Sequence, residues 1–236
     1  AHGTNKQAMS DAVYGGQAVF ADTPVWSGSA WGDAVDDSIP TYPFDPRAAA
    51  SLMDQAGMSK GSDGFFRGPE GRISLEIATV TSPASVSELV VMADGLRTAG
   101  FEVQQKVIPA AQAQDNQVRA TYATMFTSTT NSGESAMGNL ATAQIPSAAT
   151  RWLGGNRGAW SSSEFDRLFN TFNTTLDRSE RVRLMRQMLR LYADDLPLIS
   201  LFFRGSAFAH VAELTGPGPC APETNPAWNI HEWEFK

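Results

Sequence analysis

The sequence predicts an α/β fold, a mixed sheet flanked by helices, and three features carry that expectation. Ile73, Leu75 and Ile77 alternate with Ser74 and Glu76, a stripe runs from Val86 to Leu96, and Phe101, Val103 and Val107 alternate again: strand, helix, strand. Residues 161–203 read as two amphipathic helices followed by a short apolar run. Residues 228–235 alternate apolar with polar and ask for a partner strand.

In chain order, Asn5 is placed to cap a short helix with Ala8, Met9, Ala12 and Val13 on one face and Gly15-Gly16 as its stop. Residues 17–42 lose all periodicity, with Trp26 and Trp31 as the large anchors. Such a segment either is pinned to another body or touches a ligand. Asp45-Pro46 gives a cap and the helical position that proline favours, and that helix runs to Gly57. A Gly-rich stretch follows to residue 71. Ser82-Pro83 opens the helix of the strand-helix-strand unit, Gly100 closes it, and a crossover of this length implies a right-handed parallel pair. A short helix is expected within 109–119 and a strand over Tyr122–Phe126. Then Thr127 to Gly133 are all small and mostly polar, just past a strand, where α/β units commonly hold ligands. The residues alone fit either a binding rim or a hydroxyl-rich turn in solvent.

Residues 134–160 show a weak helical pattern and a turn at 151–156. Ser161 and Glu164 have the spacing of a capping box, ahead of a core stripe of Phe165, Leu168, Phe169, Phe172 and Leu176. Asp177 and Glu180 repeat that spacing for a second helix, with Val182, Met185, Met188, Leu189 and Tyr192 inward and Arg181, Arg183, Arg186 and Arg190 largely outward. Pro197 stops the helix, and residues 198–203 read as a buried strand, continued by one over Ala207–Ala209. Residues 213–227 form a Pro/Gly loop.

Composition excludes several classes. A net charge of −7, with 14 arginines and four lysines placed mostly on amphipathic helices, argues against a sequence-independent nucleic-acid binder and for solvated helix faces. The longest apolar run, near 196–203, is far below the roughly 20 residues of a membrane span. Ala1-His2-Gly3-Thr4 lacks the pattern of a signal peptide, which is therefore absent or already removed. A single cysteine, Cys220, rules out an internal disulfide and lies in a Pro/Gly loop. The three histidines are far apart, no nucleotide or hydrolase fingerprint occurs, and the pairs Asp36-Asp37 and Asp194-Asp195 are adjacent in sequence, which does not set two carboxyls across a cleft. Arg186 or Arg190 is expected to offset the second pair. No enzyme, cofactor or metal is expected.

YPFDPRAAASLMDQAG at 42–57, the strand-helix-strand at 72–107, and EFDRL, DRSERVRLMRQM and DDLPLISLFF within 164–203 resemble the extracellular solute-binding proteins of family 5, the dipeptide/oligopeptide-type receptors of ABC importers. NKQAMSDAVYGGQAVFADTPV at 5–25 is similar to the segment in which that family enters its second lobe. The resemblance implies a periplasmic-binding-protein-like lobe, type II-like, of a periplasmic or surface-attached receptor that closes on a small solute or peptide and delivers it to a membrane permease. It implies that residues 1–227 form the carboxy-terminal lobe, that the chain is a fragment lacking the amino-terminal lobe, and that the tail 228–236 pairs with that lobe. Without it, the tail would fray, fold back or pair with another copy. The candidate solute contacts are Phe126, Ser128, Thr129, Thr130 and Asn131. Peptide binders of the family place Gly-Trp and then an Asp for the peptide amino group here, whereas this chain has Ser128-Thr129-Thr130-Asn131-Ser132. A neutral polar solute, not anchored by a free amino terminus, is therefore expected. The other reading is a binding or regulatory module, no longer in transport, that offers the cleft face to a protein partner.

Overall fold

The computed structural model describes residues 1–204, 208–218, 220 and 225–236. α1 (Lys6–Tyr14) starts where the Asn5 side chain accepts the Ala8 N–H at 2.9 Å and ends at Gly15, whose φ of 60° only glycine adopts without cost. β1 (Val19–Phe20) and the 3₁₀ turn Gly32–Ala34 are the regular parts of the long segment 17–42. α2 (Pro46–Gln55) follows the Asp45 cap, whose carboxylate accepts from the Arg47 and Ala48 N–H groups. The Gly-rich stretch then forms a small antiparallel meander of β2 (Ser59–Lys60), β3 (Phe66–Gly68) and β4 (Gly71–Arg72), too short to show a period in the sequence.

β5 (Ser74–Val80), α3 (Pro83–Ala99) and β6 (Glu102–Ile108) form the expected parallel unit, in register from Ser74 opposite Glu102 to Val80 opposite Ile108. A 3₁₀ turn and α4 (Asn116–Ala120) lead to β7 (Met125–Thr127), which pairs parallel with the other edge of β5, giving the order β6-β5-β7. α1 and α3 cover this sheet: Met9, Leu89, Met92, Ala93 and Leu96 pack with Ile77 and Val103 in one apolar cluster. Burying a Leu, Ile, Val or Met side chain contributes about 1.5–3 kcal/mol, and Met125 of β7 packs partly buried against this cluster.

A second cluster is built by α5 (Gly133–Asn139), α6 (Ser163–Thr174) and α7 (Arg178–Asp195), joined by Val25, Trp31, Ala34 and Ile39. α6 is capped by Ser162, which accepts the Phe165 N–H at 3.2 Å, one residue later than expected; Ser161 instead meets the Thr142 hydroxyl. Phe165, Leu168 and Phe172 are buried and Phe169 partly so. Leu176, assigned to the same stripe, is 98% exposed, because α6 stops at Thr174 and leaves Leu176 in the link to the Asp177 cap. Residues 198–201 are not strand: only β8 (Phe202–Phe203) pairs, antiparallel to β1, after Leu196 ends α7 with φ 47°. The apolar run 198–203 is half-buried throughout. Ala207 lies outside the described residues, and Phe208 and Ala209 are in no strand.

The tail is paired within its own chain. β10 (Glu234–Phe235) runs antiparallel to β9 (Leu214–Thr215), so it folds back. The Asn229 amide secures the turn by donating to the Gly216 carbonyl at 2.8 Å, and its carbonyl oxygen accepts from the Trp233 indole. The α/β class with helices flanking the strands holds throughout; parallel and antiparallel pairing occur in separate ladders.

Candidate functional site

The rim is set by β7. Phe126 is opposite Ala78, and Thr127 is the last paired residue, its carbonyl accepting the Thr79 hydroxyl at 3.3 Å. Phe126 is half-buried with its ring 5.7 Å from that of Tyr122. Ser128, Thr129, Thr130 and Asn131 follow as an exposed polar loop, with no side-chain hydrogen bond to another described residue. The four thus sit together past the sheet edge, and Phe126 backs them at the strand. The loop returns to the body at Gly133, whose φ is 62° and whose N–H donates to the Pro24 carbonyl at 3.0 Å. That bond ties the C-terminal end of the loop to the irregular segment 17–42.

This neighbouring segment encloses an open cleft of about 530 Å³ whose walls include Phe20, Asp22, Thr23, Trp26, Asp36 and Phe203. Its far side is held by α7. Trp31 packs edge-on against Phe172 at 5.1 Å, and the guanidinium groups of Arg178 and Arg181 lie 4.4 and 4.8 Å from the Trp31 ring centre. Arg181 also lies 4.2 Å from the Phe172 ring and donates to Glu134 at 3.0 Å. Arg186 reaches the Asp33 carbonyl and the Asp36 carboxylate, Arg190 the Ser38 carbonyl, and the Tyr42 hydroxyl donates to the Ala193 carbonyl. Of the arginines read as a solvated face, Arg181, Arg186 and Arg190 instead strap this segment to α7, while Arg183 stays exposed and pairs with Glu180. Arg186 and Arg190 consequently do not offset Asp194-Asp195; Asp195 accepts the Trp160 indole N–H at 2.9 Å. Hydrogen bonds from the Ser38 hydroxyl and N–H, then the nearby arginines, hold the Asp36 carboxyl below the usual carboxylate range. A charged Asp36 therefore faces the cleft at neutral pH.

Next to this cleft a smaller pocket is lined by Tyr14, Ala18, Phe203 and Arg204, two of which hold a buried acid. Glu88 is 5% exposed, accepts from the Tyr14 hydroxyl and pairs with Arg204 at 2.7 Å, linking α1, α3 and the residue after β8. Burial, then donation to Glu88, pushes Tyr14 up to about 12. Among the described residues no group of three or more His, Cys, Asp and Glu side chains is placed to hold a metal, and no described helix is long and apolar enough to cross a membrane.

Residues 1–150 match the family model described as bacterial extracellular solute-binding proteins, family 5, middle. The chain belongs to family 5. Among its family 5 relatives, the di/tripeptide-binding protein 2 of Pseudomonas aeruginosa is 25% identical over 85% of this chain. The nickel-binding protein NikA of Staphylococcus aureus is 24% identical over 83%. The chain spans 36% of the length of each of these two. Solved structures agree in fold: NikZ from Campylobacter jejuni, in complex with Ni(L-His), has a TM-score of 0.77 at 18% identity, covering 100% of this chain and 47% of its own. The oligopeptide binding protein of Thermus thermophilus, complexed with a pentapeptide, has a TM-score of 0.71 at 22% identity, covering 86% and 36%.

Proposed function

We propose that this chain is the second lobe of a two-lobed, extracellular or periplasmic receptor that captures a small polar solute and passes it to an ABC permease. The carrying observation is family 5 membership together with an exposed loop of three hydroxyls and one amide past the end of β7, beside an open cleft. Capture by closure needs contacts from both lobes, so Phe126, Ser128, Thr129, Thr130 and Asn131 supply half of the site and the acidic wall at Asp22 and Asp36 borders it. The work is binding, not catalysis. The exposed Trp228, Ile230 and Phe235 beside the β9-β10 ladder form the surface that meets the other lobe.

The solute is recognised through neutral hydrogen bonds at 128–131, with no fixed charge there for an ammonium. Calorimetric titration of the full-length protein tests this with di- and tripeptides and their N-acetylated forms. Equal affinity for the two forms, or no peptide binding together with binding of an uncharged polar solute that Asn131→Ala weakens about 5- to 20-fold, is the expected result. Tight peptide binding that requires a free amino terminus and is lost in Asn131→Ala would overturn the reading.

A further inference from the structure

The cleft beside β1 carries a charge that the fold does not use. Val19 and Phe20 of β1 remain 49% and 44% exposed in its wall, which Trp26 and Phe203 share. Three carboxylates line it too, and among the described residues no Lys, Arg or His does. Asp22 and Asp36 are already matched, by Lys6 and by Arg186, each at 2.7 Å and each from outside the lining. Asp37 is exposed and makes no ion pair or hydrogen bond with another described residue. The cavity, about 530 Å³, falls within the roughly 300–1,000 Å³ of small-molecule sites. An anion would meet repulsion from the carboxylates, and a neutral apolar molecule would strip water from Asp37 without replacing it. A cation on an apolar stem does neither: its head pairs with Asp37 and is attracted by the ring faces, and its stem covers the exposed Val19 and Phe20.

We propose that this cleft binds a small organic cation, a guanidinium or primary ammonium on a short apolar stem. None of residues 126–131 lines it, so the site is distinct from the hydroxyl loop and does not depend on how that loop meets a solute. Calorimetric titration of the full-length protein with butylguanidinium, butylammonium, butanol and butyrate tests it. Saturable binding of one or both cations, at least about 10-fold tighter than butanol and with no binding of butyrate, is expected; the better cation identifies the head group. Asp37→Asn should weaken the cation about 5- to 20-fold and leave the Tm without ligand at the parent's value, because an exposed carboxylate with no partner adds little to the fold. Phe20→Ala should weaken the cations and butanol alike, since it removes apolar wall and no charge. Asn131→Ala should change neither. Cations that bind no better than butanol, or cation binding that survives Asp37→Asn, overturn the site. So does cation binding lost in Asn131→Ala, which would place the head group at the loop, and so does a fall in Tm for Asp37→Asn without ligand, which would make Asp37 a structural residue.

Discussion

Asn156 shows how much one side chain can organise. It is 2% exposed, and its amide satisfies the Leu140, Ala141 and Trp160 carbonyls and the Trp160 N–H. Asn156→Ala should therefore cost about 2–4 kcal/mol in urea unfolding, more than an ordinary surface change, because several buried backbone groups lose their partner at once. Tyr14 gives a pH signature. Its proton is held to about 12 in the folded chain against 10.0 ordinarily, so the stabilisation it brings is whole below about pH 10 and fades as pH rises towards 12. Alkaline unfolding should flatten over that range in Tyr14→Phe, and an unchanged slope would show that another group governs it. Local chemistry of this kind is partly legible in sequence. Asn5, Asp45, Ser82 and Asp177 all cap as their spacing implies, since cap and N–H are three residues apart or fewer. The bonds of Asn156 span up to 16 residues and leave no such pattern.

At the scale of elements, α7 has two working faces. Leu184, Met185, Met188, Leu189 and Tyr192 fill the core, and the arginines on its flank fasten residues 30–38. Arg181→Ala should cost about 1–2 kcal/mol and speed proteolytic nicking within 27–38, whereas Arg183→Ala should be nearly neutral, since among the described residues Arg183 pairs only with Glu180 one turn away. The contrast between the two variants is the test: equal effects would mean that the strap does not hold the loop. Close approach adds to it, because a Cβ on Gly32 would lie 1.9 Å from the Ser27 carbonyl oxygen. Helical periodicity showed which side of α7 is apolar but not that its arginines are spoken for, since their partners lie about 150 residues away. The same limit explains the meander at 59–72 and the short β8: strands of two or three residues carry no period, and an apolar run can be half-buried without pairing.

At the scale of the whole molecule, the described residues form two apolar clusters, one under the parallel sheet and one between α6, α7 and the 25–39 segment. Ile77→Val in the first should cost about 0.5–1.5 kcal/mol and Leu189→Ala in the second about 2–5. Because they belong to different clusters, the double variant should lose the sum to within about 0.5 kcal/mol; a larger deviation would mean that the clusters are coupled through β1 and β8. The class and the parallel unit were readable because each face repeats its pattern over many residues. The fate of the tail was not, since alternation says that a strand wants a neighbour without saying which one.

The bond from Gly133 to Pro24 has a consequence for divergence. It is made by main-chain atoms at both ends, so no replacement at Ser128, Thr129, Thr130 or Asn131 removes it. The side chains displayed on the loop can change without loosening the point at which it is fastened.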